Sequence, residues 1–295
     1  MTLEQLRIFV AVAEREHVTR AASFLKLTQP AVSAAIGSLE THCGVPLFNR
    51  VGRRIELSAE GHLFYEEARA VLARAASAEQ VLADLSGLKR GRLGIEASQT
   101  IASYWLPARL VAFRQAFPFI ELSLLVGNTS RVAKAVSEGT AELGFVEGKV
   151  DDPALDSLVI GRDRLVVVVA PSHPWAKISS LEPQKLLEAQ WVLREPGSGT
   201  RSEFESALAQ YGIAIEHLKT ALELPSNEAK CAAVEAGAGA TAVSELVAAA
   251  GLRLGTLARV AIKMPERVFH VVYHRQRYRS KATEAFLGLL KKDAA

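Results

Sequence analysis

The chain has 295 residues, 49% hydrophobic and 23% charged. That length allows two or three domains, and that composition excludes a fibrous or globally disordered protein. Thirty-five Lys and Arg against 32 Asp and Glu leave +3 with His neutral, too small a surplus to point to nucleic acid by itself. No apolar run reaches the ~20 residues of a membrane-spanning helix, and Met1–Gln5 lacks the start of a secretory leader. Two cysteines, Cys43 and Cys231, carry no CxxC spacing and read as small buried apolar residues. The expectation is a protein of the reducing cytoplasm, with no membrane partner, no metal and no cofactor.

Residues 1–57 carry three short helical patterns. Leu3, Leu6, Phe9, Val10 and Ala13 recur at steps of three and four, which gives one apolar helix face. A second helix is predicted over Val18–Leu25. Leu27-Thr28-Gln29-Pro30 then reads as a turn and a new start, with Thr28 as N-cap and Pro30 in the first turn. The third helix turns Val32, Ile36 and Leu39 inward and leaves Gln29, Ser33, Ala34 and Ser38 outside. Gly44-Val45-Pro46 ends it, and two short strands, Leu47–Arg50 and Arg54–Leu57, flank Val51-Gly52-Arg53.

Three helices and a basic ribbon form a winged helix-turn-helix, an α+β head whose third helix enters the major groove of double-stranded DNA. Gln29 there can pair with adenine, and Ser33 can hydrogen-bond a base or a phosphate. Arg50, Arg53 and Arg54 on the ribbon would neutralise phosphates or probe the minor groove. Thr28, Pro30 and Ser38 complete the candidate DNA-contacting set.

Residues 58–90 change character. After Gly61 neither proline nor glycine occurs until Gly87. Phe64, Ala68, Val71, Ala75, Ala78, Leu82 and Leu85 follow alternating steps of four and three. This heptad seam predicts a linker helix about 42 Å long, whose residues 58–88 pair with a second copy of the chain. A helix lying on its own domain's core is the alternative.

From residue 91 to 295 strands alternate with helices. Strands are predicted over Leu93–Ala97, Ile120–Val126, Leu143–Val146, Leu165–Ala170, Trp191–Leu193 and Val268–Tyr273. Helices are predicted over Ala102–Ala116, Arg131–Glu138, Ser202–Tyr211, Glu228–Glu235 and Lys281–Lys291. Such alternation implies parallel sheets covered by helices. It favours two α/β lobes over one large sheet: lobe I about 91–161 with 268–295, lobe II about 162–267.

Leu6-Arg7-Ile8-Phe9, Ala21-Ala22, Thr28 to Ser33, Leu39-Glu40, Gly44 to Phe48 and Leu57 to Gly61 together resemble the signature of LysR-type transcriptional regulators. The resemblance runs through the whole chain: DNA head, linker helix, and a two-lobed effector domain like periplasmic binding proteins. It implies a bacterial, ligand-responsive regulator of promoter DNA, a homotetramer assembled from dimers, with RNA polymerase as a further partner. One departure stands out. Members of the family often carry Arg just after the position of Ser33 and about three residues on, where this chain has Ala34 and Gly37. That shifts weight onto Gln29, Pro30, Ser33 and the wing arginines.

Candidate effector residues lie on polar loops after predicted strands. Lobe I supplies Ser98, Gln99, Thr100, Asn128, Thr129 and Glu147, and lobe II supplies Ser198, Gly199, Thr200 and Asn227. Gly, Ser and Thr at a helix start leave N–H groups free for an anion, which the helix dipole also favours. Ordinary helix capping explains any one such loop. A converging pair, Ser98–Thr100 facing Ser198–Thr200, suits a small oxyanion or carboxylate. Glu147 argues against a simple polyanion pocket. Gly144–Gly148 with Arg194–Arg201 is similar to a subgroup associated with oxidised sulfur anions, including sulfite-responsive members, and more distantly to CysB-like, sulfate-related members. A sulfite- or sulfate-like effector is therefore favoured over a small carboxylate.

Enzyme signatures are missing: there is no GxSxG, HExxH or phosphate-loop lysine. His270 and His274 lie on a strand pattern that sets them ~13 Å apart, which does not suit a shared metal. The competing reading is an α/β solute-binding or enzymatic protein with an accessory helical domain.

Overall fold

The computed structural model describes residues 1–51, 54–85 and 91–293. They form two compact units, Met1–Leu82 with Glu138–Thr140, and Ala83–Ser137 with Ala141–Ala295.

In the first unit α1 (Leu3–Arg15), α2 (Val18–Leu25) and α3 (Gln29–Cys43) close on a core of Leu6, Phe9, Val12, Ala21, Val32 and Leu39. Burying each large apolar side chain contributes roughly 1.5–3 kcal/mol. Thr2 and Gln5 cap α1 reciprocally. The chain turns sharply after α1 and α2 through left-handed Glu16 and Lys26, and Leu27 N–H bonds back to the Ala22 carbonyl at 2.9 Å.

β1 (Phe48–Val51) and β2 (Arg54–Leu57) pair antiparallel. Glu40 ties this wing to α3 by accepting from the backbone N–H of Leu47 at 2.8 Å and of Phe48 at 3.2 Å. The following helix starts tightly against the wing. A Cβ on Gly61 would lie 2.0 Å from the Leu47 carbonyl oxygen, so only glycine fits there.

The linker helix α4 (Ala59–Leu85) corrects part of the seam. The Phe64 ring lies tilted against that of Phe9, centroids 5.0 Å apart, Ala68 is buried, and Leu72 packs on the head core. Heptad spacing names an apolar stripe without naming what covers it, and here the head covers its first turns. Val71, Ala78, Leu82 and Leu85 remain exposed. Cys43 is also exposed rather than buried, because it is the last residue of α3, next to the Gly44 cap.

The second unit is built on β3 (Gly91–Ser98), β4 (Ile120–Gly127), β5 (Leu143–Glu147), β6 (Leu155–Val169), β7 (Gln190–Leu193), β8 (Lys219–Glu223), β9 (Ala240–Ser244), β10 (Ala258–Arg259) and β11 (Glu266–His274). Strand order is β4-β3-β5-β11-β6-β9-β7-β8, with β10 on β6. The two lobes are present, and they share a strand. Arg164 of β6 pairs with Glu266 of β11, while the next residue, Leu165, pairs with Ser244 of β9.

Lobe I is covered by α5 (Leu106–Ala116), α6 (Thr129–Glu138) and α10 (Lys281–Asp293), lobe II by α7 (Gly199–Gln210), α8 (Asn227–Glu235) and α9 (Glu245–Leu254). The predicted ranges passed over β8, β9, β10 and α9. Gly251 interrupts α9 and meets the Leu257 side chain closely, and all five residues of β8 are exposed, so neither shows a clean apolar period.

Candidate functional site

α3 begins where Thr28 Oγ1 accepts from Ala31 N–H at 3.4 Å and where Pro30 has no N–H to leave unpaired. Its inner face buries Val32, Ile36 and Leu39. Thr28, Gln29, Pro30, Ser33 and Ser38 are exposed, as are Arg50 and Arg54 of the wing; Arg53 lies outside the described residues. Gln29 Nε2 donates to Ser33 Oγ at 3.1 Å, and Gln5 Nε2 to Ser38 Oγ at 3.2 Å. In water such bonds exchange easily for base edges and phosphate oxygens. A Cβ on Gly37 would meet nothing within 4 Å.

In the second unit the C-terminal ends of parallel strands converge. Ser98 ends β3, Gly127 ends β4, Glu147 ends β5, and Arg194 follows β7. Open α/β sheets bind ligands at this edge, where strand order reverses. Gln99 Oε1 accepts from Arg194 Nη1 at 3.0 Å and from Asn227 N–H at 2.8 Å, and its Nε2 donates to Glu228 at 2.7 Å. Asn227 Nδ2 donates to Thr100 Oγ1 at 3.1 Å, Asn128 Nδ2 to Glu195 at 3.3 Å, and Arg267 Nη1 to Thr200 Oγ1 at 3.3 Å. A Cβ on Gly199 would lie 2.4 Å from Thr129 Oγ1 and 2.9 Å from Glu147 Oε2, so α7 enters the cleft backbone first.

The expected loop pair is therefore offset. Thr100 meets Asn227, Gly199 comes against Thr129 and Glu147, and Thr200 meets Arg267. Asn128 also serves as an ordinary cap, its Oδ1 accepting from Arg131 N–H at 3.0 Å. The start of α7 differs. Ser198 precedes it without capping it by its side chain, so the first N–H groups of that helix are not taken up by their own N-cap residue. Ser98 Oγ, 2% exposed, and the fully buried Asn227 Oδ1 have no hydrogen-bond partner among the described residues. Thr100 can donate as well as accept, so the Asn227 amide can present either end to the cleft.

Each cleft arginine is matched by a carboxylate. Arg194 grips Glu195 with two bonds of 2.8 Å. Burial alone would raise the Glu195 carboxyl, but bonds from Arg194 and Asn128 hold it below its ordinary value. Arg267 lies 2.7 Å from Asp163, both side chains buried, and Ser244 Oγ donates to the same carboxylate at 3.0 Å. Burial raises the Glu203 carboxyl, Arg267 opposes this, and Glu147 adds to it. Burial lowers His270, against a bond with the Gly148 backbone.

Arg194, Glu195, Arg267, Asp163 and Glu203 were not among the sequence-derived site residues. Arg194 and Glu195 stand inside the loop that carried the subgroup resemblance, whereas Asp163 and Arg267 become visible only once β6 pairs with β11. A separate open concavity of about 400 Å³ lies at Arg164, Arg259, Lys263 and Met264. Its two arginines are paired with Glu266 and Glu245, and no residue of the cleft set lines it. Among the described residues no group of three His, Cys, Asp or Glu side chains is placed to hold a metal, and no helix is long and apolar enough to cross a membrane.

Comparison with known proteins places this geometry. The bacterial regulatory helix-turn-helix protein, lysR family, matches residues 3–62, and the LysR substrate binding domain matches residues 86–295. YeiE of Escherichia coli strain K12, an uncharacterized HTH-type transcriptional regulator, is 37% identical over 289 residues, covering 97% of this chain and 96% of the relative. A probable RuBisCO transcriptional regulator of Nostoc sp. strain PCC 7120 is 34% identical over 290 residues, covering 97% and 86%. CbnR, a LysR family transcriptional regulator, superposes with a TM-score of 0.73 at 24% identity, covering 100% of both chains. The Synechocystis PCC6803 CcmR regulatory domain in complex with 2-PG gives 0.64 at 26% identity, covering 70% of this chain and 98% of that one. These relatives are regulators rather than enzymes. A helix-turn-helix head followed by a two-lobed substrate-binding unit makes this chain a member of the LysR-type family of ligand-responsive, DNA-binding transcriptional regulators.

Proposed function

We propose that the chain is a bacterial cytoplasmic regulator that binds promoter DNA through residues 1–57 and answers to a small anion held between the lobes of residues 91–295. Sulfite- or sulfate-like oxyanions come ahead of small carboxylates. The observation that carries this reading is the buried Ser98 hydroxyl without a partner among the described residues, in the same cleft as the start of α7, which Ser198 leaves uncapped. A buried polar group without a partner is costly, and a ligand that bonds to it relieves that cost. Arg194 and Arg267 are already neutralised, so neutral donors and a helix start do most of the holding, which favours a compact anion of low charge. Ligand binding draws the lobes together and biases the arrangement of heads on DNA to the extent that it prefers one arrangement.

Residues 58–88 pair with a second copy through the exposed part of the seam, Val71 to Leu85, and dimers join into a homotetramer that meets RNA polymerase at the promoter. Calorimetry of the full chain against sulfite, sulfate, phosphate and small carboxylates tests the ligand class. Binding of only a neutral or aromatic compound would sink the anion cleft. Val71→Asp and Ala78→Asp are expected to split the dimer, read by sedimentation; unchanged oligomers in both variants would reject the pairing.

A further inference from the structure

Lys230 stands on α8, one turn past Asn227, and is 2% exposed. Its Nζ donates to the Ala242 carbonyl at 2.7 Å, whereas an ammonium has three protons to place. Arg194 beyond β7 and Arg267 on β11 lie within electrostatic reach, as do Glu195 and the neighbouring Cys231. Both guanidiniums are already matched, Arg194 by Glu195 and Arg267 by Asp163 of β6. β9 contributes no ionisable side chain, and α9 has Glu245, ion-paired with Arg259, and Arg253. On α8 itself Glu228 accepts from Gln99 and Tyr104, and Glu235 from Thr256. A charged Lys230 is thus a buried cation beside two others, with a carbonyl as its acceptor. Such a group tends to give up its proton, and burial, with Arg194 next, pushes it down to about 7.

We propose that an anion entering the cleft is bound together with a proton taken up by Lys230, so that the ligand's charge is answered by a cation made at the moment of binding. This rests on the cleft reading above. The proton comes from solvent and joins the Nζ lone pair, and no bond forms to the ligand. Above pH 7 the empty protein holds Lys230 neutral, and the occupied one holds it charged. Affinity therefore rises by up to about tenfold for each unit of falling pH until it levels off near 7. The regulator would report an anion and a proton jointly.

The test uses the full chain labelled with ¹³C at lysine Cε, titrated by NMR from about pH 6 to 11, empty and with saturating sulfite, or with whichever of sulfate, phosphate and the small carboxylates calorimetry shows to bind. Lys230→Met assigns the resonance; Lys230→Arg serves where that variant does not fold. The expected midpoint is near neutral in the empty protein and at least about one unit higher when occupied. Reading the lysine carbon separates its proton from the one sulfite itself exchanges. An ordinary lysine midpoint in the empty protein, or one unmoved by bound anion, overturns this inference and leaves the cleft reading in place. No heat from sulfite, sulfate, phosphate or any small carboxylate overturns the cleft reading and this inference with it. Lys230→Arg, permanently charged, is expected to bind the anion with its dependence above pH 7 removed.

Discussion

The recognition helix and the effector cleft use the same residue types in opposite physical settings. On α3, Gln29 and Ser33 are in water and satisfy each other. In the cleft, Ser98, Thr200 and Asn227 are buried, and Ser98 Oγ has no partner among the described residues. A solvated pair gives up one set of bonds for another when DNA arrives, so each contact contributes modestly and many are needed. A buried group has already lost its water, so a ligand meeting it gains more from a single contact.

The contrast breaks most sharply at Arg267. Arg267→Met leaves Asp163 buried and unpaired, and urea unfolding is expected to show a loss of about 3–5 kcal/mol, while no substitution on the outer face of α3 approaches that. Ser98→Ala removes a hydroxyl that supports nothing in the empty protein. Stability should hold, while anion affinity measured by calorimetry falls about 10- to 150-fold, the worth of one bond to a charged group, roughly 1.5–3 kcal/mol. Ser98 is a cleaner probe than Thr100 or Thr200, whose hydroxyls are engaged with Asn227 and Arg267. Gln29→Ala is expected to relax preference at one base pair by about 1–3 kcal/mol in gel shifts across operator variants. The smallest effect sits beside it. Gly37 is a helix-interior glycine with open space around it, so Gly37→Ala should stabilise the chain by roughly 0.5–1 kcal/mol, read by chemical denaturation. Finally, burial pushes the Cys231 thiol up to about 11, so maleimide at pH 7–8 should modify exposed Cys43 first; equal rates would contradict that burial.

Much of the head is legible in the sequence because its determinants are local. Thr28 and Pro30 announce the start of α3, and Val32, Ile36 and Leu39 set its inner face within three turns. The cleft was legible only as far as its loops, through Gly, Ser and Thr standing before helices. Its charged frame was not. Asp163 and Arg267 are 104 positions apart and meet because β6 and β11 pair in one register. Lys230 looks in sequence like any lysine on a helix, and its burial depends on β9 lying beneath it. Phe64 and Ala68 show the reverse failure, in which a regular local pattern leaves the covering partner unnamed.

The shared strand β6 sets how the two lobes can move. Between Arg164 and Leu165 the backbone passes from one half-sheet to the other without a loop. Opening the cleft is then a change of twist along a continuous ribbon, resisted on both sides by ladder bonds that a swinging linker would lack. Motion of this kind is small, elastic and quickly reversed. It leaves the ladder-bonded amides on either side of the Arg164–Leu165 junction protected from solvent exchange whether the cleft is filled or empty, while the strand ends at Ser98 and Glu147 feel the difference.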